Sequence, residues 1–132
     1  MQRDNPPEAP TRPHDANPAA REQRRDTTAS ARTAYVCGLL RLYVATPGVA
    51  GHVRRSDRQF AASLFDHEVP LYAVEYAFLV AAFRRERHNA HSTPLPPIRS
   101  LWYFRDIIRE MLERPPGHRD IDLMRDALFG RD

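Results

Sequence analysis

The chain has 132 residues, a formal net charge of +3 and a sequence pI of about 9.5. Its single cysteine, Cys37, cannot form an internal disulfide, and its apolar surroundings predict a small buried side chain. No apolar run approaches the ~20 residues that a membrane-spanning helix needs, so we expect a cytoplasmic protein. All 20 basic residues are arginine. This bias suits bidentate phosphate binding, but a GC-rich genome also favours arginine codons, so composition alone does not indicate a nucleic-acid partner.

The N-terminal residues differ in character from the rest of the chain. Residues 1–28 are rich in Pro, Arg, Asp and Ala and contain no large apolar residue after Met1. Such a segment buries too little apolar surface to offset its ordering entropy, which predicts a disordered arm. Residues 29–132 then form one helical domain with a modest core.

Five helices and no strand are predicted, which makes the fold class all-α, a small five-helix bundle. The first helix covers about 29–45 and stops at the sequence "TPG". The second opens at Ser56 as N-cap, with Gln59 in the place that a capping box requires. It ends near Val69, because Pro70 disfavours a helical residue before it.

The third predicted helix runs from Pro70 to about Arg87 and is apolar on most of its sides, as is typical of the central helix of a bundle. A loop, "NAHSTPLPP", follows it. The fourth helix spans about 97–114 and stops at "PPG", and a short fifth helix covers about 119–129.

Three adjacent aromatic residues, Trp102, Tyr103 and Phe104, begin the fourth helix. With about 100° between successive helical residues, Trp102 points away from the core, in line with Arg105 and Arg109. The predicted core face consists of Leu101, Phe104, Ile108, Met111 and Leu112, with Tyr103 and Ile107 on its flank. Two explanations for the outward indole compete: the fifth helix or a partner chain covers it, or it forms a ligand surface with the two arginines.

Two further arginine clusters flank the second and third helices. One consists of Arg54, Arg55 and Arg58, and the other of Arg84, Arg85 and Arg87. In a helical hairpin the start of one helix and the end of the next lie at the same pole, so the six side chains are predicted to form one phosphate-binding patch. Ordinary solvated arginines are the competing interpretation. A helix–turn–helix is disfavoured, because the third helix is too apolar to read a groove.

The order of these signals over about residues 56–112 resembles the DnaD-like domain of bacterial and phage replication-initiation proteins. The pattern "PLYAVEYAFLVAA" opens a helix, and Tyr103, Ile107 and Met111 match the spacing of the family's Tyr-x3-Ile-x3-Trp ending, with Met in place of Trp. The resemblance implies an all-helical bundle that works in DNA replication or on mobile elements, through oligomers and partner contacts and without catalysis.

No catalytic motif is apparent in the sequence. The pair His88 and His91 in "HNAH" has metal-ligand spacing, but no Cys, Asp or Glu pair is within easy reach. The scattered carboxylates, among them Asp57 and Glu110, are predicted to pair with surface arginines. There is no Gly-rich phosphate loop or nucleophile elbow, so we expect no enzyme, metal or other cofactor.

Two functional hypotheses follow. The first is a non-catalytic DNA-associated accessory protein, related to replication or mobile elements, that binds the nucleic-acid backbone through its arginine clusters and stacks a base on Trp102. Its N-terminal arm, with Arg21, Arg24 and Arg25, would add nonspecific affinity. The second is a helical adaptor or small subunit that docks a partner protein, or a second copy of itself, through the Trp102 face.

Overall fold

The computed structural model describes residues 18–130. It contains five α-helices: α1 (Pro18–Ala45), α2 (Arg55–Asp66), α3 (Leu71–His91), α4 (Arg105–Glu113) and α5 (His118–Phe129). A 3₁₀ turn, Leu101–Phe104, leads directly into α4. The only β-type pairing within residues 18–130 is an isolated bridge between Val49 and Ile98. The predicted all-α bundle of five helices is therefore confirmed.

Helix α1 begins at Pro18, well before the predicted start at residue 29. Residues 18–28, predicted to belong to a disordered arm, are helical because they combine alanines with long polar side chains that favour a helix without an apolar stripe. The rest of the predicted arm, residues 1–17, lies outside the described residues. The contacts of the chain divide it into two units, residues 1–33 and 34–132, and the hydrophobic core belongs to the second.

Helix α3 is the centre of that core, as predicted. Much of its length is buried, from Ala73 near its start to Arg85 in its last turns. It packs against α4, α5 and the 3₁₀ turn, and its residues share the core with buried residues of α1 and α2. Because most of α3 is buried, the structure agrees with the prediction that α3 is a poor recognition helix.

Three aromatic rings from distant parts of the sequence meet inside the bundle. Tyr43 of α1, Phe78 of α3 and Phe104 of the 3₁₀ turn lie with ring centroids 4.8 to 6.2 Å apart, in edge-on or tilted geometry. Such pairs contribute about 0.5–1.5 kcal/mol each beyond the burial of their area. The cluster therefore joins three elements at one point of the core.

The start of α2 differs from the prediction. The N-cap is Arg54, not Ser56, and the carboxylate that completes the capping box belongs to Asp57, not Gln59. Asp57 Oδ2 accepts a hydrogen bond of 2.9 Å from the Arg54 backbone N–H. Serine is a favourable N-cap residue, but the buried carboxylate of Asp57 accepts from the Arg54 backbone amide, and Arg54 is therefore the cap.

The boundaries of α3 and α4 also differ. Helix α3 continues to His91, so the first part of the predicted loop is helical. Residues 97–100 are not helical, because two prolines and the pairing of Ile98 with Gly48 and Ala50 hold them extended. Leu112, predicted to face the core, is 45% exposed, because Ile108 and Met111 form the buried face of α4.

Two smaller expectations are settled. Cys37 is exposed, so the prediction of a buried thiol was wrong: Leu39, Leu40 and Tyr43 form the buried face of α1, and residue 37 lies off that face. Within the described part of the chain, the helices are too short or too polar to cross a membrane.

Candidate functional site

The 3₁₀ turn decides where the three adjacent aromatic residues point. A 3₁₀ helix has three residues per turn, so Leu101 and Phe104 lie on the same side, and both are fully buried. Trp102 and Tyr103 are left on the outside, 54% and 43% exposed. The predicted outward direction of Trp102 is therefore correct, whereas Tyr103, predicted on the core flank, is exposed because the turn is tighter than an α-helix.

The indole of Trp102 has two neighbours that the structure identifies. The Arg105 guanidinium carbon lies 4.7 Å from the ring centroid, within cation–π range. Arg105 also donates a hydrogen bond of 3.3 Å to the Trp102 carbonyl. Phe60 of α2 packs edge-on against the indole, with centroids 5.0 Å apart. The exposed indole therefore has one cationic neighbour and one apolar support, and neither comes from α5.

The turn that carries Trp102 is fixed to α2 by a buried carboxylate. Asp57 is only 1% exposed. Its Oδ1 accepts a hydrogen bond of 2.9 Å from the Leu101 N–H, while Oδ2 accepts from Arg54. In addition, Ser100 Oγ accepts from the Trp102 N–H at 3.1 Å. The prediction of Asp57 as a surface pairing residue was wrong, because its oxygens satisfy two backbone donors inside the fold.

Arg84 and Arg85, adjacent on α3, have different environments. Arg84 makes a bidentate pair with Glu110 of α4, with N–O distances of 3.1 and 2.7 Å. This hydrogen bond holds the pKa of Glu110 below its ordinary value, although burial opposes the shift. The pair lies at the surface, where solvent screens the attraction between its charges. Arg84 is therefore an already paired member of the predicted patch.

Arg85 is not a surface residue, and its predicted place in the patch is corrected. It is only 8% exposed. Its guanidinium donates to the Pro96 carbonyl at 2.6 Å and to the Tyr103 hydroxyl at 3.4 Å. Gly48, at φ 96°, approaches it so closely that an added Cβ would lie 3.0 Å from the Arg85 Nε. Arg85 therefore joins the end of α3 to two loops.

The remaining arginines that were predicted to contact nucleic acid on these helices, Arg87 and Arg109, are exposed. Arg87 lies over the Phe83 ring at 5.9 Å. Arg109 pairs with Asp106 at 3.5 Å, and the structure shows no contact between Arg109 and the indole, so the predicted trio of Trp102, Arg105 and Arg109 reduces to its first two members.

The three arginines at the start of α2, Arg54, Arg55 and Arg58, are exposed. Around that helix, steps of about 100° place Arg58 on the flank opposite Phe60, and therefore away from the indole. The start of α2 and the end of α3 are nevertheless both bonded to residues 96–103, through Asp57 and Arg85. The structure thus ties the start of α2 and the end of α3 to one segment, residues 96–103.

Residues with other candidate chemistry do not converge. His88 and His91 are both exposed on the last turns of α3. Within residues 18–130 no group of three or more His, Cys, Asp or Glu side chains has the arrangement to hold a metal ion.

Comparison of the chain with models of known protein families, with curated proteins and with solved structures gives no match. The resemblance to the DnaD-like domain therefore stays a prediction. Of its three spaced residues, Tyr103 is exposed, Ile107 is partly buried and Met111 is 4% exposed. The position at which the family has a tryptophan is thus a core position in this chain.

Proposed function

We propose that this chain is a non-catalytic accessory protein that binds single-stranded DNA, with Trp102 as a stacking platform and exposed arginines as phosphate contacts. The observation that carries the proposal is the half-exposed indole with the Arg105 guanidinium 4.7 Å from its centre. The resemblance to DnaD-like proteins favours a role in replication or on a mobile element, in the cytoplasm.

The rigidity of the Trp102 turn supports a binding role. An aromatic side chain that is already fixed loses little entropy when a ligand binds, which raises affinity without new contacts. Asp57 accepts from the Leu101 N–H, Ser100 accepts from the Trp102 N–H, and Phe60 supports the ring. Stacking of a base on such a ring contributes about 1–3 kcal/mol and accepts any base, because every base has a π face.

Single-stranded DNA is the favoured form for this site. In a duplex the base faces are occupied by their neighbours, so stacking on Trp102 requires an unpaired base. Arg105, whose side chain is 43% exposed, can contact the phosphate next to a stacked base while it remains near the ring. Arg54, Arg55, Arg58 and Arg87 are exposed and supply further phosphate contacts. Arg84 and Arg109 contribute less, because an acidic neighbour pairs with them at 2.7 and 3.5 Å, closer than the 3.9 Å between Arg105 Nε and Asp106.

The test is a gel-shift titration of the full chain with a single strand and with a duplex of the same sequence. Trp102→Ala is expected to weaken single-strand binding by roughly 5- to 100-fold, which corresponds to the loss of one stacked base. Tyr72→Ala is the matched control, since Tyr72 is 55% exposed on α3, close to the exposure of Trp102. Circular dichroism of both variants verifies that the helices are retained.

A second pair of variants tests the phosphate contacts. Replacement of Arg55 and Arg58 by glutamine is expected to reduce the slope of log affinity against log salt by about 1.4, since each phosphate contact on a single strand contributes about 0.7. Replacement of the paired Arg84 and Arg109 is expected to change the slope less. Absence of single-strand binding by the wild type at low salt, or equal losses in the Trp102 and Tyr72 variants, would contradict the proposal.

The adaptor hypothesis is the second candidate, and the exposure of two adjacent aromatics, Trp102 and Tyr103, favours it. Aromatic residues with a nearby arginine are typical of the centres of protein interfaces. Size-exclusion chromatography with light scattering separates the two functions. An oligomer that Trp102→Ala dissociates, together with unchanged DNA binding, supports the adaptor and opposes the stacking role.

A further inference from the structure

A cleft in the bundle lies apart from the Trp102 site, between the end of α1, the middle of α3 and the end of α5. It has a volume of about 100 Å³. Apolar side chains line it from all three helices: Leu42 of α1, Phe78, Leu79 and Ala82 of α3, and Leu128 and Phe129 of α5. Because the three α3 residues are buried, the cleft reaches inward to the hydrophobic core. We call this space the α5 cleft.

The polar side chains around the α5 cleft have partners within the fold. Arg125 of α5 donates a hydrogen bond of 3.2 Å to Glu75 of α3, and these two are the only charged residues that line the cleft. The Thr46 hydroxyl donates to the Leu42 carbonyl at 2.7 Å. A charged ligand would therefore lose hydration and meet an ion pair whose net charge is zero. An uncharged, apolar ligand avoids this cost.

The volume of the α5 cleft limits the ligand to one small ring. An apolar cavity of about 150 Å³ in a protein core stays dry and binds benzene. A cleft of about 100 Å³ with the exposed Ala45 and Phe129 in its lining fits one six-membered ring, with a short substituent directed outward. An aromatic ring suits this lining, because Phe78 and Phe129 provide edges and faces for ring contacts. Since Phe129 is 59% exposed, such a ligand also removes apolar protein surface from water.

Helix α5 is the element that such a ligand would stabilise. Within His118–Phe129, Ile121 is the only buried residue, and the ion pair of α5 with α3 is exposed. A ring in the α5 cleft would contact α5 on one side and α1 and α3 on the other, so binding would join α5 to the rest of the bundle. We propose that the α5 cleft binds a small uncharged aromatic molecule and that binding stabilises α5. This inference goes beyond the proposed function and does not depend on it, because no residue of the Trp102 site lines the cleft.

The experiment titrates the full chain with benzyl alcohol and follows the leucine methyl groups by NMR. The methyl signals of Leu42, Leu79 and Leu128 are expected to shift along a saturating curve. Those of Leu123, which is 62% exposed on α5 and does not line the cleft, are the internal control and should not shift. Benzoate, which has the same ring but a negative charge, is expected to bind at least about tenfold more weakly. Amide hydrogen exchange in α5 is expected to slow when benzyl alcohol binds, with α2 as the reference.

Variants of two exposed alanines provide a matched comparison. Ala45→Phe places a ring at the edge of the α5 cleft and is expected to weaken benzyl alcohol binding by roughly 10- to 100-fold. Ala127→Phe adds the same ring to α5 outside the cleft and is expected to leave binding unchanged, with circular dichroism verifying the helices of both variants.

Four results would overturn the inference. The first is shifts of equal size at Leu123 and at the leucines that line the cleft, and the second is equal affinity for benzoate and benzyl alcohol. The third is unchanged hydrogen exchange in α5, or equal binding by the two alanine variants. The fourth is a wild-type dimer, seen by light scattering, that Ala45→Phe dissociates, because a second copy of the chain would then occupy the cleft.

Discussion

Two tyrosines of α1 show that the contribution of one hydroxyl group to stability depends on its surroundings. The Tyr35 hydroxyl donates a hydrogen bond of 2.9 Å to the Val69 carbonyl. The Tyr43 hydroxyl is buried in the core without a hydrogen-bond partner. A buried polar group without a partner costs about 1–3 kcal/mol, whereas a satisfied hydrogen bond contributes about 0.5–1.5 kcal/mol. The same substitution is therefore expected to have opposite effects at the two positions.

We predict that Tyr43→Phe leaves the free energy of unfolding unchanged or raises it by about 1 kcal/mol, and that Tyr35→Phe lowers it by about 1 kcal/mol. Urea denaturation at neutral pH, followed by circular dichroism, measures both values. Each variant is the control for the other, since both delete one oxygen from the same helix. A clear loss of stability in Tyr43→Phe would mean that its hydroxyl has a partner after all.

The same residues predict how stability changes at alkaline pH. Burial raises the pKa of Tyr35 to about 12, and burial together with the charge of Asp57 raises that of Tyr43 to about 12, against an ordinary value of 10.0. The unfolded chain therefore loses these protons at a lower pH than the folded chain does. Their contribution to stability is complete below pH 10 and is lost as the pH rises toward 12. Urea midpoints measured across this range should fall, and less steeply in either Phe variant.

Single residues were only partly predictable from the sequence. The exposure of Trp102 followed from helical spacing, because a periodic pattern reports which side faces the core. The burial of Asp57 and Arg85 did not follow, because their partners are backbone groups of Leu101 and Pro96 that only the folded chain brings near. A charged residue in a sequence is normally assigned to the surface, and no local pattern marks the exceptions.

At the scale of elements, the end of α3 shows how a helix holds the loops beside it. Arg85 bonds the 92–100 loop at Pro96 and lies against Gly48 in the loop that follows α1. Those two loops also bond each other, through Ala50 and Ile98 at 2.8 Å. The guanidinium therefore stabilises a junction on which the position of the 3₁₀ turn depends.

We predict that Arg85→Ala lowers the free energy of unfolding by about 2–4 kcal/mol, because it leaves buried acceptors without a donor and opens a cavity. Arg84→Ala, one residue earlier, should cost at most about 1 kcal/mol, because its pair with Glu110 is exposed. Thermal unfolding compares the stabilities of the two variants, each of which has lost one positive charge. Equal losses would indicate that Arg85 contributes only as a surface charge.

Helix existence was easier to predict than helix boundaries. All five helices were identified because each has an apolar stripe or a clear stop signal. The 3₁₀ turn was predicted as α-helix, since a short apolar run fits both periods. Because of this error, Tyr103 was predicted on the flank of the core, whereas it is exposed. The early start of α1 had no apolar stripe to reveal it, so only side-chain propensity indicated a helix there.

At the scale of the whole molecule, the two units differ in what holds them together. Among residues 18–130, every buried residue of the hydrophobic core, and every partly buried residue packed on it, lies at position 35 or later. The fold of residues 34–132 therefore contains its own core. The all-α class and the central place of α3 were predictable from the sequence, whereas the division of α1 between two units was not, because a continuous helix gives no signal at that point.

We predict that removal of residues 1–33 leaves the urea midpoint of the remaining chain within error of the full chain, because all core residues in the described part of the chain are retained. Circular dichroism of the two proteins measures the midpoint, and the Tyr35→Phe variant provides a reference for a real loss of stability. A lower midpoint in the truncated protein would show that the first unit stabilises the second.

The placement of Trp102 has a practical consequence. It is the only tryptophan in the chain, and it is half exposed next to a guanidinium group. The fluorescence of the selectively excited indole would therefore report on this one turn, without any attached dye. A ligand that covers the ring would shift or quench that emission, so partner binding can be followed on the unlabelled protein.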